Sequence, residues 1–300
     1  MTVVQDPTVQ RRLLRDELRQ ARDAAGYRQA DVAHAMDWSP SKLIRIERGD
    51  VNVSITDLRA LLSHYGVKDK GTVNGLIELA RSARGASFYD RYADVLPPDF
   101  REYLAYEASA SVTRQCQPIL IPGLLQTEEY ARALFAGYGT VSPEGVDREW
   151  AIRQHRQEVH ERETPPEMLF VLDEASLRRQ VGRGPAMRRQ LQRLKEYAAE
   201  PHISIQIIPF VRGAHPGMRG SFMLLEFTDP SLPDLLHLEG ANLSAVIRED
   251  TDQIARYLDT FAQLRELALP LNESVDFLDV VISEMPLTGE PTDSTDKVAV

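Results

Sequence analysis

Between Gln29 and Arg48 the chain reads QADVAHAMDWSPSKLIRIER, two short helical patterns with only a few residues between them. Val32, Ala33 and Met36 recur at helical spacing in the first, Leu43 and Ile46 in the second. Ser39 suits an N-cap, Pro40 a first turn, and Gly49 a helix stop. Two helices joined by so tight a connection describe a helix-turn-helix.

The flanking residues complete a bundle. VQRRLLRDELRQARDAAGY places Leu13, Leu14, Leu18, Ala21 and Ala25 on one face and ends at Gly26. Ser54 and Asp57 offer a capping box to ITDLRALLSHYG. A fifth helix fits Val73 to Arg84, with Leu76, Ile77 and Ala80 apolar. The expectation is an all-α N-terminal domain of five helices over residues 1–85.

On the third helix successive residues turn by about 100°. Leu43, Ile46 and Glu47 therefore share one side, and Ser41, Arg45 and Arg48 the other, with Lys42 at its edge. A polar face on so short a helix fits a DNA major groove about 12 Å wide. Arg45 can pair bidentately with a guanine edge and Ser41 can hydrogen bond to several bases, so Ser41, Lys42 and Arg45 are candidate base readers. Gln29, Ser39 and Arg48 are candidate phosphate contacts, Gln29 because it opens the second helix of the domain. A merely solvated polar face is the alternative.

Charge bears on that choice. The 300 residues carry a formal net charge of −10, which should repel DNA. Residues 1–85, however, hold 14 Lys/Arg against 11 Asp/Glu, and residues 86–300 hold 21 against 34. A mildly basic head on an acidic body points to an interaction module joined to something else. A single cysteine, Cys116, excludes an internal disulfide, and no apolar run approaches the length of a membrane span. The N-terminal residues show no secretion signal, so a cytoplasmic location is expected.

The stretch RQADVAHAMDWSPSKLIRIERGDVNVSITDLRALL resembles the phage-repressor-like (XRE-type) helix-turn-helix, especially its actinobacterial branch, over roughly residues 9–84. The resemblance implies that Gln29 contacts phosphate and that Ser41 and Arg45 read bases, with Pro40 and Lys42 beside them. It also implies a buried pair between Arg22, late in the first helix, and Glu47. Pro40 stands where some relatives carry a base-contacting polar side chain.

Beyond Gly85 the pattern changes. A helix running to about Ala108, strand-like VTRQCQPILI, and two helices in LLQTEEYARALF and PEGVDREWAIRQHRQEVHER come first. The apolar run MLFVL, the helices DEASLRRQV and AMRRQLQRLKEYA, and the strands ISIQIIPF, GSFMLLEF and LLHLEG follow. DTDQIARYLDTFAQLRELAL is a strongly periodic helix. These elements predict an α+β domain over 86–286 with a modest mixed or antiparallel sheet, and a disordered tail over 287–300. PILIPGLLQTEEYARALF, LDEASLRR and AHPGMRGSFMLLEF resemble the domain of unknown function that follows this head in actinobacterial regulators called Scr1-type, antitoxin-like.

Catalytic signatures are lacking. His155 and His160 are five apart, which turns their rings about 140° from each other on a helix and does not suit a shared metal. Cys116 has no fixed histidine beside it in sequence, and Asp173-Glu174 suits a helix cap. No catalytic residue, metal or cofactor is expected. The loop RGAHPGMRG, between two strands, is the candidate ligand or partner surface, through His215, Met218 and Arg219; an ordinary hairpin loop is the alternative.

The functional expectation is a sequence-specific DNA-binding regulator whose acidic body receives a ligand or protein signal. Its partners are double-stranded DNA, a second copy of the chain and a small protein encoded nearby. An antitoxin-like module that captures that small protein and autoregulates its operon is the alternative.

Overall fold

The computed structural model describes residues 6–139, 142–240 and 244–285. The tail at 287–300 lies outside them. The chain divides into two compact units, Met1–Ser109 with Asp229–Leu232, and Ala110–Thr228 with Pro233–Val300.

The first unit contains α1 (Pro7–Ala24), α2 (Gln29–Ala35), α3 (Pro40–Arg48), α4 (Ile55–His64), α5 (Lys70–Ser82) and α6 (Pro98–Glu107). Leu14, Leu18, Val32, Leu43, Ile46, Leu58, Leu61 and Ile77 close one core between the first five. Three of these helices end alike. Tyr27 N–H donates to Arg22 O, Asp50 N–H to Arg45 O and Val67 N–H to Leu62 O, each wrapped around a left-handed glycine at 26, 49 or 66. This is the bonding of a Schellman C-cap. The turn after α2 has the same bonds, Trp38 N–H to Ala33 O and Asp37 N–H to His34 O, but its left-handed residue is Asp37 at φ 55°.

The expected boundary at residue 85 falls inside this unit. Ser87 Oγ donates to the Asp6 carboxylate at 2.8 Å, and Asp6 N–H donates to Ser109 Oγ at 3.1 Å. Arg12 reaches Glu102, and α6 packs on α1. The change of composition near Gly85 marks a turn in the chain and not the edge of a body.

The second unit is α+β, as expected. Its strands are β1 (Val112–Gln117), β2 (Glu167–Asp173), β3 (Ile203–Ile208), β4 (Ser221–Glu226), β5 (Leu235–Glu239) and β6 (Ser244–Ile247). They form one mixed sheet in the order β3-β2-β1-β4-β5-β6. β1, β2 and β3 run parallel, and β4, β5 and β6 add on antiparallel. The helices are α7 (Glu128–Tyr138), α8 (Pro143–Gln157), α9 (Glu174–Arg178), α10 (Arg183–Ala198), α11 (Thr251–Leu267) and α12 (Leu271–Glu284).

The sheet is covered on both faces. Met168, Phe170 and Leu172 join Ile203, Ile205 and Ile207 in a core with α7, α10 and α12. Leu169 and Val171 point the other way, to Ile254, Phe261 and Leu264 of α11. A strand buried on both sides reads as an unbroken apolar run, which is what MLFVL shows. β3 and β4 are separated by β2 and β1, so the connection at 209–220 is no hairpin and crosses the ends of two strands.

Candidate nucleic-acid interface

Helix α3 is held from inside by ionic groups. Arg22 and Glu47 are each 7% exposed and pair side-on, Nε to Oε1 at 2.7 Å and Nη2 to Oε2 at 3.1 Å. Arg22 Nη1 donates to Asp23 Oδ1 at 2.6 Å and to Tyr27 O at 2.8 Å. Gln29 Nε2 donates to Glu47 Oε2 at 2.7 Å. The Glu47 hydrogen bond, against the opposing effect of burial, raises the Arg22 guanidinium above its ordinary range. One carboxylate thereby joins α1, α2 and α3.

The opposite face of α3 is open. Leu43, Ile46 and Glu47 are buried, whereas Ser41, Arg45 and Arg48 are exposed. Neither Arg45 nor Arg48 has an ion-pair partner among the described residues. Ser39 caps α3 by position, with its hydroxyl 3.2 Å from that of Ser41 and exposed. Arg15 Nη1 donates to Arg48 O at 3.1 Å, which satisfies a carbonyl at the end of α3.

Two residues are more committed than the sequence suggests. Lys42 is half-buried, with Nζ 3.1 Å from Asp57 Oδ2 of α4 and 3.7 Å from the centre of the Trp38 ring. It reaches DNA only by releasing both. Gln29 has spent one Nε2 hydrogen on Glu47 and retains the other. Trp38 and Asp57 are the residues that sequence reasoning missed here; Asp57 was accounted for as a cap, and Ser54 Oγ does accept from Asp57 N–H at 3.0 Å.

In the second unit His215 is buried, and its Nε2 donates to Asp173 Oδ2 at 2.9 Å. Asp173 also caps α9 by accepting from Ala175 N–H at 2.7 Å. Met218 and Arg219 are exposed. The three residues do not form one surface: His215 anchors the connection from inside, and the other two face solvent. Gly217 lies against β1, where an added Cβ would stand 2.9 Å from Cys116 Sγ and 3.1 Å from His215 Nδ1. His155 pairs with Glu158 at 2.8 Å, while His160 Nε2 bonds to Leu124 O at 2.9 Å, so the two rings serve different contacts. No group of three metal-binding side chains occurs among the described residues.

A bundle with α2 and α3 joined by a turn of four residues, and an outward polar face on α3, defines a helix-turn-helix protein. A helix-turn-helix domain model matches residues 13–72. The domain of unknown function DUF5753 matches residues 100–280, more than half of the chain, and the chain belongs to that family. Over 91 residues it is 36% identical to the HTH-type transcriptional regulator DdrOP3 of Deinococcus deserti. That stretch is 30% of this chain and 63% of the relative, so the chain spans less than two thirds of the protein it matches. No solved structure matches the chain. No helix among the described residues is long and apolar enough to cross a membrane.

Proposed function

We propose that the chain is a sequence-specific DNA-binding transcriptional regulator of the XRE type, in the actinobacterial Scr1 group, which works in the cytoplasm by binding and not by catalysis. The observation that carries this reading is the α3 face, where Ser41, Arg45 and Arg48 are exposed while Arg22, Glu47 and Gln29 fix the helix from behind. Arg45 reads a guanine and Ser41 an adjacent base. Arg48, Ser39 and the remaining Gln29 N–H hold phosphates. Lys42 joins them if Asp57 lets it go.

The acidic body weakens non-specific binding, because phosphate contacts supply nearly all of that term. Specific occupancy then depends on two heads acting together, and we place a homodimer on a two-fold operator with half-sites about 34 Å apart. A monomer by light scattering at micromolar concentration would remove the dimer from this reading.

The C-terminal unit receives the signal. An antitoxin-like role, in which it captures a small protein encoded nearby, is favoured by one observation: Phe210, Val211 and Met218 are 55%, 88% and 63% exposed within a single connection. A small protein docked on this connection would cover all three side chains. A small protein that co-purifies through this connection, and is lost on Val211→Asp, separates the two roles.

The first test is fluorescence anisotropy on DNA from upstream of the chain's own gene, across a salt series. Wild type should prefer that DNA to scrambled duplex. Arg45→Ala should lose roughly 1–3 kcal/mol of the preference, and Arg48→Ala should lower the salt slope by about 1. Equal, weak binding by all three proteins to both duplexes would end the reading.

A further inference from the structure

The connection from β3 to β4 runs across the carboxyl ends of β2 and β1, where His215 meets Asp173 and Gly217 meets Cys116. The register Cys116↔Phe222 and Ser221↔Glu239 puts the start of β4 and the end of β5 on that same edge of the sheet. Ligands of open sheets with parallel strands gather outside this edge, at the carboxyl ends of those strands.

A cleft of about 340 Å³ opens there, between the connection, β4, β5 and α11. Its size lies within the range of small-molecule sites, about 300–1,000 Å³. The apolar lining comes from Phe222, Leu238 and Tyr257, and the Phe222 and Tyr257 rings meet edge-on with centroids 4.9 Å apart. Arg219 and Arg256 also line it. In the same unit Arg114, Arg132, Arg178, Arg189 and Arg193 each hold a carboxylate. Arg219 and Arg256 hold none among the described residues.

We infer that this cleft binds a small organic monocarboxylate with an aromatic or branched apolar body. Its carboxylate lies on Arg219 and Arg256, and its body packs on Phe222, Leu238 and Tyr257. Glu239, the acidic residue of the lining, accepts from Gln117 Nε2 at 3.4 Å, and Gln117 accepts in turn from Ser221 Oγ at 2.8 Å. Glu239 disfavours a second negative charge on the ligand and accepts from a hydroxyl placed beside it. The inference rests on the proposal that the C-terminal unit receives a signal, and it names the chemistry of that signal.

The test is isothermal calorimetry of the full chain with benzoate, salicylate, phthalate, benzyl alcohol and inorganic phosphate as probes. Benzoate or salicylate should bind saturably. Phthalate with its second carboxylate, benzyl alcohol without a charge, and phosphate without a ring should each bind at least about tenfold more weakly. Arg219→Ala and Arg256→Ala should weaken benzoate or salicylate roughly 10- to 100-fold, the value of a charge-assisted hydrogen bond. Arg212→Ala removes the same charge from a residue outside the cleft and should leave binding unchanged.

Equal loss in all three variants, phosphate binding as well as benzoate, or no saturable binding up to about 10 mM, would overturn the inference. Operator binding is measured separately, first without and then with saturating probe. A probe that binds the cleft yet leaves operator affinity unaltered supports the site and rejects its signalling role. Intact operator binding with an empty cleft rejects the site alone.

Discussion

Glu47→Gln keeps the shape of the side chain at the centre of the head and removes its charge. Arg22 stays protonated even without the Glu47 charge, since a guanidinium keeps its proton at any working pH, and it meets Gln where it met a carboxylate. Removing one member of a buried pair costs roughly 3–5 kcal/mol, because the remaining charge is left uncompensated. Arg22 Nη1 keeps Asp23 and Tyr27 O, so the lower end, about 3 kcal/mol, applies here. That is a large part of the ~5–15 kcal/mol that stabilises an ordinary domain. At ~4–8 °C per kcal/mol for a domain near 100 residues, the head's melting transition should fall by at least about 12 °C. Two units in one chain do not guarantee a single transition, so calorimetry is read together with amide exchange in α1 and α3. The double variant Arg22→Met/Glu47→Leu removes both charges and should recover most of the loss. A fall below about 4 °C, or a double variant worse than Glu47→Gln, would refute the argument that this pair joins the helices.

Three further outcomes follow from single positions. Asp37→Gly relieves a left-handed backbone in an exposed turn and should raise the head's stability by up to about 1 kcal/mol, read as a higher melting temperature. Burial, and then the Asp173 charge, push the Cys116 thiol up to about 12, so at pH 8 it should resist a thiol reagent such as DTNB until the chain is unfolded. Labelling of native protein at the rate of unfolded protein would contradict this. Asp234 is raised by burial and by Glu226, against Arg114. Its folded form binds its proton more tightly than the unfolded chain, so its carboxylate weakens the fold as pH rises past the ordinary carboxylate range. Asp234→Asn should therefore raise the urea midpoint at pH 7 and make little difference below about pH 3.5, where both states are protonated.

Much of the head was legible because its stop signals are local. Ser39-Pro40 and Gly49 bracket α3 where the sequence placed it, and a period of 3.6 needs no tertiary partner to be seen. The partners of Gln29 and Lys42 were not legible, because Glu47 and Asp57 come from other helices and only packing brings them together. In the body the long apolar runs were found, yet α12 and β6 were missed. α12 carries Val275, Val280, Val281 and Ile282, which favour strands, and becomes helical while packed on α10 and β3. β6 has four residues and takes its identity from pairing with β5. The cleft was invisible for a similar reason. Arg219, Leu238 and Arg256 are far apart in sequence and meet through strand register, although the loop holding Arg219 had been marked.

The family match begins at residue 100, inside α6, a helix that packs on α1 and receives Arg12 on Glu102. The heritable segment and the physical body therefore overlap. A recombination that moved the DUF5753 segment onto another helix-turn-helix would carry α6 away from the α1 surface it fits, and strip the old head of a helix it packs against. Shuffling between such proteins is then restricted to heads whose first helix offers a matching surface, so head and body are expected to travel through evolution as a pair.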